Sequence, residues 1–162
     1  AALVLAPGVP LHFPTPHPVV LAARAAGIEI IGDLELLHRA AHGHKTIGIT
    51  GTNGKSTTTA LSAHILNAAG YESAMGGNIG APVLDLDPPA QNGAFVLEVS
   101  SYQLDLSPTF RPDIAALLNI TPDHIDRHGS FENYIAAKEA IFEGEGVAII
   151  GIDDEPCAQM YK

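Results

Sequence analysis

The sequence has 162 residues, enough for one compact domain and a smaller piece of a second. Its 46% hydrophobic and 16% charged composition is typical of a folded protein. A net charge of −10 with only eight Lys and Arg residues argues against a nucleic-acid or anionic-membrane partner. The single cysteine, Cys157, excludes an internal disulfide framework and a Cys-based zinc site, and it favours a cytoplasmic location.

The first 44 residues predict alternating strand and helix. Gly27 ends the first predicted helix, Asp33 can cap the second, and Gly43 with its flanking histidines is typical of a linker. The predicted elements are strands at 3–5 and 29–31 and helices at 19–26 and 34–41. The apolar start has no initiator Met, and the last residues have no helix stop signal, so we expect both ends to continue in a longer chain.

From residue 45 the pattern becomes strand, glycine-rich loop and helix, followed by further apolar runs. The predicted elements are strands at 46–50, 94–99, 114–118 and 147–150 and helices at 56–69 and 131–142. Near-continuous apolar strands separated by helical segments are typical of a parallel sheet with helices on both faces. We therefore predict an α/β fold, with one partial domain over residues 1–44 and another over residues 45–162.

The loop between the predicted strand and helix reads Gly-Ile-Thr-Gly-Thr-Asn-Gly-Lys-Ser over residues 48–56, which is the context of a phosphate-binding loop. Its backbone amides and the helix N-terminus can hold nucleotide phosphates, Lys55 can neutralise them, and the Ser56 hydroxyl can ligate Mg²⁺. The alternative is a tight turn without a ligand. The candidate nucleotide-binding residues are Gly51, Thr52, Asn53, Gly54, Lys55, Ser56 and Thr57.

Two polar side chains follow buried strands and should meet at the carboxyl edge of the sheet. Glu98 interrupts an apolar run, and a buried carboxylate needs a cation or hydrogen-bond donors. His124 follows the next strand and is a second candidate metal ligand. The alternatives are a structural carboxylate and a satisfied polar histidine. His128 lies four residues after His124, as in some zinc sites, but no third zinc ligand is evident.

Lys138 falls on the apolar stripe of the predicted helix over 131–142. The simpler interpretation is a lysine whose stem is buried while its ammonium reaches solvent. The alternative is a desolvated amine with a lowered pKa, which could react with CO₂ to give an anionic carbamate.

Together these motifs resemble the Mur ligases. The segment over 48–56 resembles the ATP loop of that family, and the segment over 76–80 resembles its substrate-contacting loop. The Leu97 to Leu104 segment is similar to the Mg²⁺-binding strand, and the segments over 119–128 and 134–138 are similar to those with the metal-binding His and the carbamylated Lys. Within the family, Tyr102-Gln103-Leu104 favours the branch that adds D-glutamate, and the Pro7 to Pro10 stretch resembles the uridine-binding domain of that branch.

The resemblance implies a Rossmann-like N-terminal domain that binds the UDP substrate, present in part over residues 1–44, and an ATP-binding central domain, present in part over 45–162. It implies ATP and Mg²⁺ as cofactors, with Lys55, His124 and Lys138 in catalysis. The implied metal ligands are Ser56, Glu98, His124 and carbamylated Lys138, and the implied substrate contacts are Gly8 and Asn78.

The implied substrates are UDP-N-acetylmuramoyl-L-alanine and D-glutamate, joined through an acyl phosphate by a cytoplasmic, monomeric enzyme of peptidoglycan synthesis. Two other readings stay open at this point. One is another ligase of the superfamily, such as a folylpolyglutamate synthase. The other is an ATP-binding fragment that cannot complete the reaction alone.

Overall fold

The computed structural model describes residues 1–41 and 43–161; His42, in the predicted linker, and Lys162 lie outside the described residues. It contains seven strands within that part of the chain: β1 (Ala2–Val4), β2 (Glu29–Ile31), β3 (Lys45–Thr50), β4 (Ser73–Gly77), β5 (Ala94–Glu98), β6 (Ile114–Leu117) and β7 (Val147–Ile150). The predicted strands are all present, with bounds that differ by a residue or two. β4 is an additional strand that the sequence pattern did not predict.

Seven α-helices connect or follow the strands in the described residues: α1 (Pro18–Ala25), α2 (Asp33–Ala40), α3 (Lys55–Ala68), α4 (Ser101–Leu104), α5 (Ile125–His128), α6 (Phe131–Glu139) and α7 (Glu155–Met160). Several helices begin at a side chain that accepts a backbone N–H. Ser100 caps α4 in a reciprocal pair with Gln103, Ser130 caps α6, and Asp154 caps α7. None of these helices is both long and apolar enough to cross a membrane.

The strands form two separate parallel sheets. β1 pairs with β2, and the larger sheet has the order β4-β5-β3-β6-β7. In the larger sheet β3 is central, so the loops that follow β3, β5 and β6 leave the same edge side by side. This arrangement confirms the predicted α/β fold with a parallel sheet, and it fixes where a ligand could bind.

The larger sheet is covered on both faces, as a parallel sheet requires. Along β5, Val96 packs with Ile49 and with Ala63 of α3 on one face. Phe95 and Leu97 pack on the other face in a cluster that includes residues of α2. The outermost strand, β7, departs from the expectation of a buried strand, because Val147 and Ile149 are 61% and 53% exposed. β7 is paired on one side only, with β6.

The two sheets are connected by direct packing. Leu106, which follows α4, is fully buried in the small core between β1, β2 and α1, together with Leu5, Leu11 and Val20. The backbone N–H of Gly32 donates to the Leu106 carbonyl at 2.7 Å. A side chain from the segment after residue 45 thus completes the core of the first 44 residues.

Leu106→Ala should destabilise the protein by about 2–5 kcal/mol, because it removes a fully buried side chain and leaves a cavity at this junction. The measurement is urea denaturation followed by circular dichroism. Leu61→Ala is the matched control, since Leu61 is 54% exposed on α3 and should change the free energy of unfolding by less than about 0.5 kcal/mol. Equal effects of the two substitutions would contradict this account of the junction.

Candidate nucleotide and metal site

The phosphate-binding loop lies between β3 and α3, as the sequence predicts, and its glycines adopt conformations that other residues avoid. Gly51 has φ +148°, and a Cβ there would lie 3.1 Å from Leu118 and 3.3 Å from the Asn119 carbonyl. Gly54 has φ +82° and begins α3 without a side-chain cap. The first amides of α3 therefore point into the loop, where an anion can accept their hydrogen bonds.

The loop is held in place by the segment that follows β6. The Asn119 carbonyl accepts the N–H of Thr52 at 2.9 Å, and the Asn119 side chain both accepts from the Asn53 N–H at 2.9 Å and donates to the Asn53 carbonyl at 3.0 Å. The Thr52 hydroxyl contacts the Tyr134 hydroxyl at 3.1 Å and accepts the N–H of Thr121 at 3.0 Å. These bonds fix Thr52 and Asn53 of the loop.

Two lysine amines converge on the Gly51 carbonyl of the loop. Lys55 Nζ donates to the carbonyls of Gly51 at 3.0 Å and Thr52 at 2.8 Å. Lys138 Nζ donates to the same Gly51 carbonyl at 2.8 Å and lies 3.3 Å from the Thr50 hydroxyl. Burial, and then the positive charge of Lys55, lower the pKa of Lys138 to about 7. With only 2% of Lys138 exposed, its amine does not reach solvent as the simpler interpretation proposed.

Glu98, at the end of β5, is a buried carboxylate with neutral partners. It is 2% exposed, and its two oxygens accept from the Ser56 hydroxyl at 2.8 Å and from the Asn78 side-chain amide at 2.9 Å. The backbone N–H of Asn78 also donates to the Glu98 carbonyl at 2.9 Å. A hydroxyl and a carboxylate side by side at the sheet edge are the oxygen ligands that Mg²⁺ prefers.

His124 opens α5 in the left-handed conformation, with φ 52°, and its ring is about half exposed. Together with Lys55, Asn78 and Lys138, it lines a cavity of about 260 Å³ at the carboxyl edge of the sheet. Ser100, Ser101, Tyr102 and Tyr134 complete the cavity wall. Four of the residues predicted from the sequence thus lie together, and Ser56 and Glu98 join them through the Asn78 hydrogen bond.

The structure disfavours the minor alternative of a zinc site through His124 and His128. The His128 side chain is buried, with Nε2 2.9 Å from the Ser101 hydroxyl and Nδ1 3.7 Å from the Asp105 carboxylate. Both ring nitrogens therefore face protein groups. Among residues 1–41 and 43–161, no group of three or more His, Cys, Asp or Glu side chains is arranged to hold a metal ion.

The other predicted site residues do not line the cavity, and two of them, Thr57 and Gly8, lie apart from the contacts described above. Thr57 is exposed in the first turn of α3, and Gly8 is exposed in the turn after β1. Sequence reasoning also missed contributors to the site. Asn119 clamps the loop, Tyr134 bonds to it, and Tyr102 forms part of the cavity wall. A polar residue two positions after the end of β6 was the available signal for Asn119.

Comparisons with known proteins agree with this architecture. Residues 49–162 match the Mur ligase middle domain. The UDP-N-acetylmuramoylalanine–D-glutamate ligase of Chelativorans sp. (strain BNC1) is 60% identical over 159 residues, which are 96% of this chain and 34% of that protein. The chain thus spans about a third of the length of the curated relatives it matches.

Two solved structures have a similar fold. The UDP-N-acetylmuramate:L-alanyl-gamma-D-glutamyl-meso-diaminopimelate ligase of Neisseria meningitides gives a TM-score of 0.63 at 22% identity, covering 88% of this chain and 50% of that one. E. coli FolC in complex with DHPP and ADP gives a TM-score of 0.59 at 19% identity, and the match covers 97% of this chain and 50% of that one.

The lowered pKa of Lys138 predicts a pH dependence of stability. Between pH 7 and 10.5 the unfolded chain holds a proton on this amine that the folded protein lacks, so the free energy of unfolding rises with pH by up to about 1.4 kcal/mol per unit. The destabilisation that comes from burying the protonated Lys138 amine is fully present below pH 7. Urea denaturation at pH 7, 8 and 9, without nucleotide or bicarbonate, should show this rise in the wild type and a smaller one in Lys138→Met.

The upper limit of pH 9 matters because burial raises the pKa of the Cys157 thiol to about 12, which lowers stability at more alkaline pH. Lys45→Met is the control, since Lys45 is an exposed lysine at the opposite end of β3. A slope in Lys138→Met equal to that of the wild type would show that Lys138 keeps an ordinary protonation equilibrium.

Proposed function

Because the chain belongs to the Mur ligase family, we propose that it forms the ATP-binding part of an amide ligase that joins D-glutamate to UDP-N-acetylmuramoyl-L-alanine in peptidoglycan synthesis. Relatives that are 55–60% identical over nearly the whole chain carry the name of that ligase. The observation that carries the proposal is the convergence of Lys55, Asn78, His124 and Lys138 on one cavity at the sheet edge. The complete reaction is proposed for the full-length protein.

The loop over residues 51–57 is proposed to bind the ATP phosphates. Its unpaired helix amides and the Lys55 amine supply the positive charge that a polyphosphate requires. Among the described residues, Lys55 donates only to loop carbonyls, which can release it at small cost once a phosphate oxygen replaces them. E. coli FolC, a structural neighbour that shares the fold, was solved in complex with ADP, and a nucleotide site in this fold is consistent with the assignment.

The residues present fit Mg²⁺ next to this loop. Glu98 is buried with two neutral donors and no cationic partner among the described residues, so a cation would satisfy its charge. Ser56 and Glu98 are the proposed ligands of one Mg²⁺, and His124 with carbamylated Lys138 those of another. Bound there, Mg²⁺ would screen the charge of the phosphates and the substrate carboxylate.

The proposed reaction proceeds in two steps. The alanine carboxylate of the UDP substrate attacks the γ-phosphorus of ATP, which forms an acyl phosphate and releases ADP. The D-glutamate amine then attacks the acyl carbon, loses a proton and expels inorganic phosphate. Lys55 would neutralise the developing phosphate charge, and Asn78 would orient the substrate beside it.

Lys138 is proposed to act as a carbamate. Carbamate formation needs a neutral amine, and the pKa of about 7 provides one near physiological pH. The amine loses a proton and its nitrogen bonds to the carbon of CO₂, which converts a buried cation into an anion. That change would remove the repulsion between Lys138 and Lys55 and supply an oxygen ligand at the cavity.

The remaining proposals concern the rest of the protein. Residues 1–44 are proposed to belong to a domain that binds the UDP group, with Gly8 as a contact, and residues 45–162 to the ATP-binding domain. A monomeric enzyme in the cytoplasm, acting on small molecules, fits the acidic composition and the single free cysteine. The similarity to FolC is one of fold alone and does not favour a folate substrate.

Lys55→Met should weaken Mg·ATP binding by at least about tenfold, because it removes the cation that faces the phosphates. Isothermal titration of the full-length protein measures the change, and chelation of Mg²⁺ should weaken binding in the wild type. Lys45→Met, at the opposite end of β3, is the matched control. The 162-residue chain alone is expected to bind without turnover. Unchanged affinity in Lys55→Met would remove the nucleotide assignment.

Lys138→Ala should abolish ligation, measured as ADP formation that depends on both UDP-N-acetylmuramoyl-L-alanine and D-glutamate. Formate or acetate should restore part of the rate, because a small carboxylate can occupy the place of the carbamate. The control variant Lys45→Ala should keep the wild-type rate, and formate or acetate should not change that rate. Full activity of Lys138→Ala would disprove the carbamate, and wild-type activity that does not require D-glutamate would disprove the proposed substrate.

A further inference from the structure

Arg127 is a buried cation whose hydrogen bonds cross between the two sheets. It lies in α5, three residues after His124, and is 8% exposed. Its guanidinium donates to the carbonyls of Val9 at 2.8 Å and Pro7 at 3.3 Å, which are 118 and 120 residues earlier in the chain. Both acceptors flank Gly8 in the turn after β1, which the Val9 N–H closes by donating to the Ala6 carbonyl.

The same guanidinium also contacts the cavity wall. Its central carbon lies 5.2 Å from the centre of the Tyr102 ring, in a cation–π arrangement. The Tyr102 ring in turn lies 5.0 Å from the His124 ring. One side chain therefore joins the turn around Gly8 to Tyr102, a residue of the cavity wall that lies next to the proposed metal ligand His124.

Arg127 has no contact ion pair in the part of the chain that the structure describes; at longer range its charge lowers the pKa of the Asp105 carboxyl, against the larger raising effect of burial. None of the ion pairs there involves Arg127, and its Nε has no hydrogen-bond partner among those residues. Burying a guanidinium is costly unless its donors are used. Fold stability alone could be served by an apolar side chain at this position, so the guanidinium calls for a role that depends on its two carbonyl contacts.

A second contact holds the same segment against the end of α5. Gly129 adopts φ +82°, and a Cβ at this position would lie 3.0 Å from the Phe13 ring. The segment over residues 7–13 thus lies against α5 at two places, the Arg127 side chain and the backbone of Gly129, which follows the helix.

We infer that Arg127 is a positioning residue for the UDP substrate: it holds the turn around Gly8 in its binding shape and at a fixed distance from the cavity. This inference rests on the proposed function, in which Gly8 contacts the substrate. Arg127 itself acts through the Pro7 and Val9 carbonyls. A lysine could reach one carbonyl, but it could not span both and cover the Tyr102 ring.

The test measures the binding of UDP-N-acetylmuramoyl-L-alanine to the full-length protein by isothermal titration without ATP. Arg127→Met should weaken this binding by about tenfold or more, since it releases the turn, and should leave the Mg·ATP affinity within about twofold of the wild type. Arg111→Met is the matched control. Arg111 also donates to a backbone carbonyl, that of Phe110, and pairs with Glu143, but it lies near the amino end of the sheet.

A folded Arg127→Met variant that binds the UDP substrate within about twofold of the wild type would overturn the inference, as would equal losses of UDP-substrate and Mg·ATP affinity. If Arg127→Met does not fold, Arg127→Lys is judged by the same two affinities, and its affinity for the UDP substrate should fall by about fivefold. A wild type that does not bind the UDP substrate overturns the inference together with the substrate assignment. Binding without D-glutamate-dependent ADP formation removes only the ligase function.

Discussion

Two lysine amines donate to one carbonyl oxygen, that of Gly51, and the properties of the site depend on this arrangement. Burial, and then the positive charge of Lys55, lower the pKa of Lys138, the more deeply buried of the two amines. Lys55 lies nearer to solvent and can leave the carbonyl for a phosphate. The two lysines that share this oxygen thus differ in chemistry: Lys55 is a cation that can bind an anionic ligand, and Lys138 is an amine that loses its proton more easily.

Glu98, at the end of the neighbouring strand β5, carries the opposite charge without a counterion in the described part of the chain. It is a buried carboxylate between the Ser56 hydroxyl and the Asn78 amide. Among the described residues its side-chain partners are dipoles and not cations. Keeping the carboxylate and the amines apart costs stability in the free protein. The same separation leaves both kinds of charge available, so a metal–nucleotide complex could satisfy them together.

The sequence could predict the parts of the fold and the site that follow from local pattern. The glycine loop lies between a strand and a helix, and the period of α6 placed Lys138 on the buried side. β4 was missed because Ser73–Gly77 has little strand propensity and forms by pairing with β5. The Asn119 clamp and the Arg127 contacts join segments 66 and 118–120 residues apart, which no local pattern encodes.

The packing of α2 adds an argument about how the two sheets relate. Leu34 and Leu37 belong to the core of the larger sheet, and buried Glu35 accepts from the backbone and hydroxyl of Thr109. Residues of α2, which come before residue 44, therefore pack in the same hydrophobic core as the larger sheet. The turn around Gly8 is held on this framework through Arg127, so its distance from the cavity is a property of the fold. A long substrate anchored at that turn would present its far end to the cavity only if its length matched that distance, and a fixed spacing of this kind can select a substrate without contacting the atoms that react.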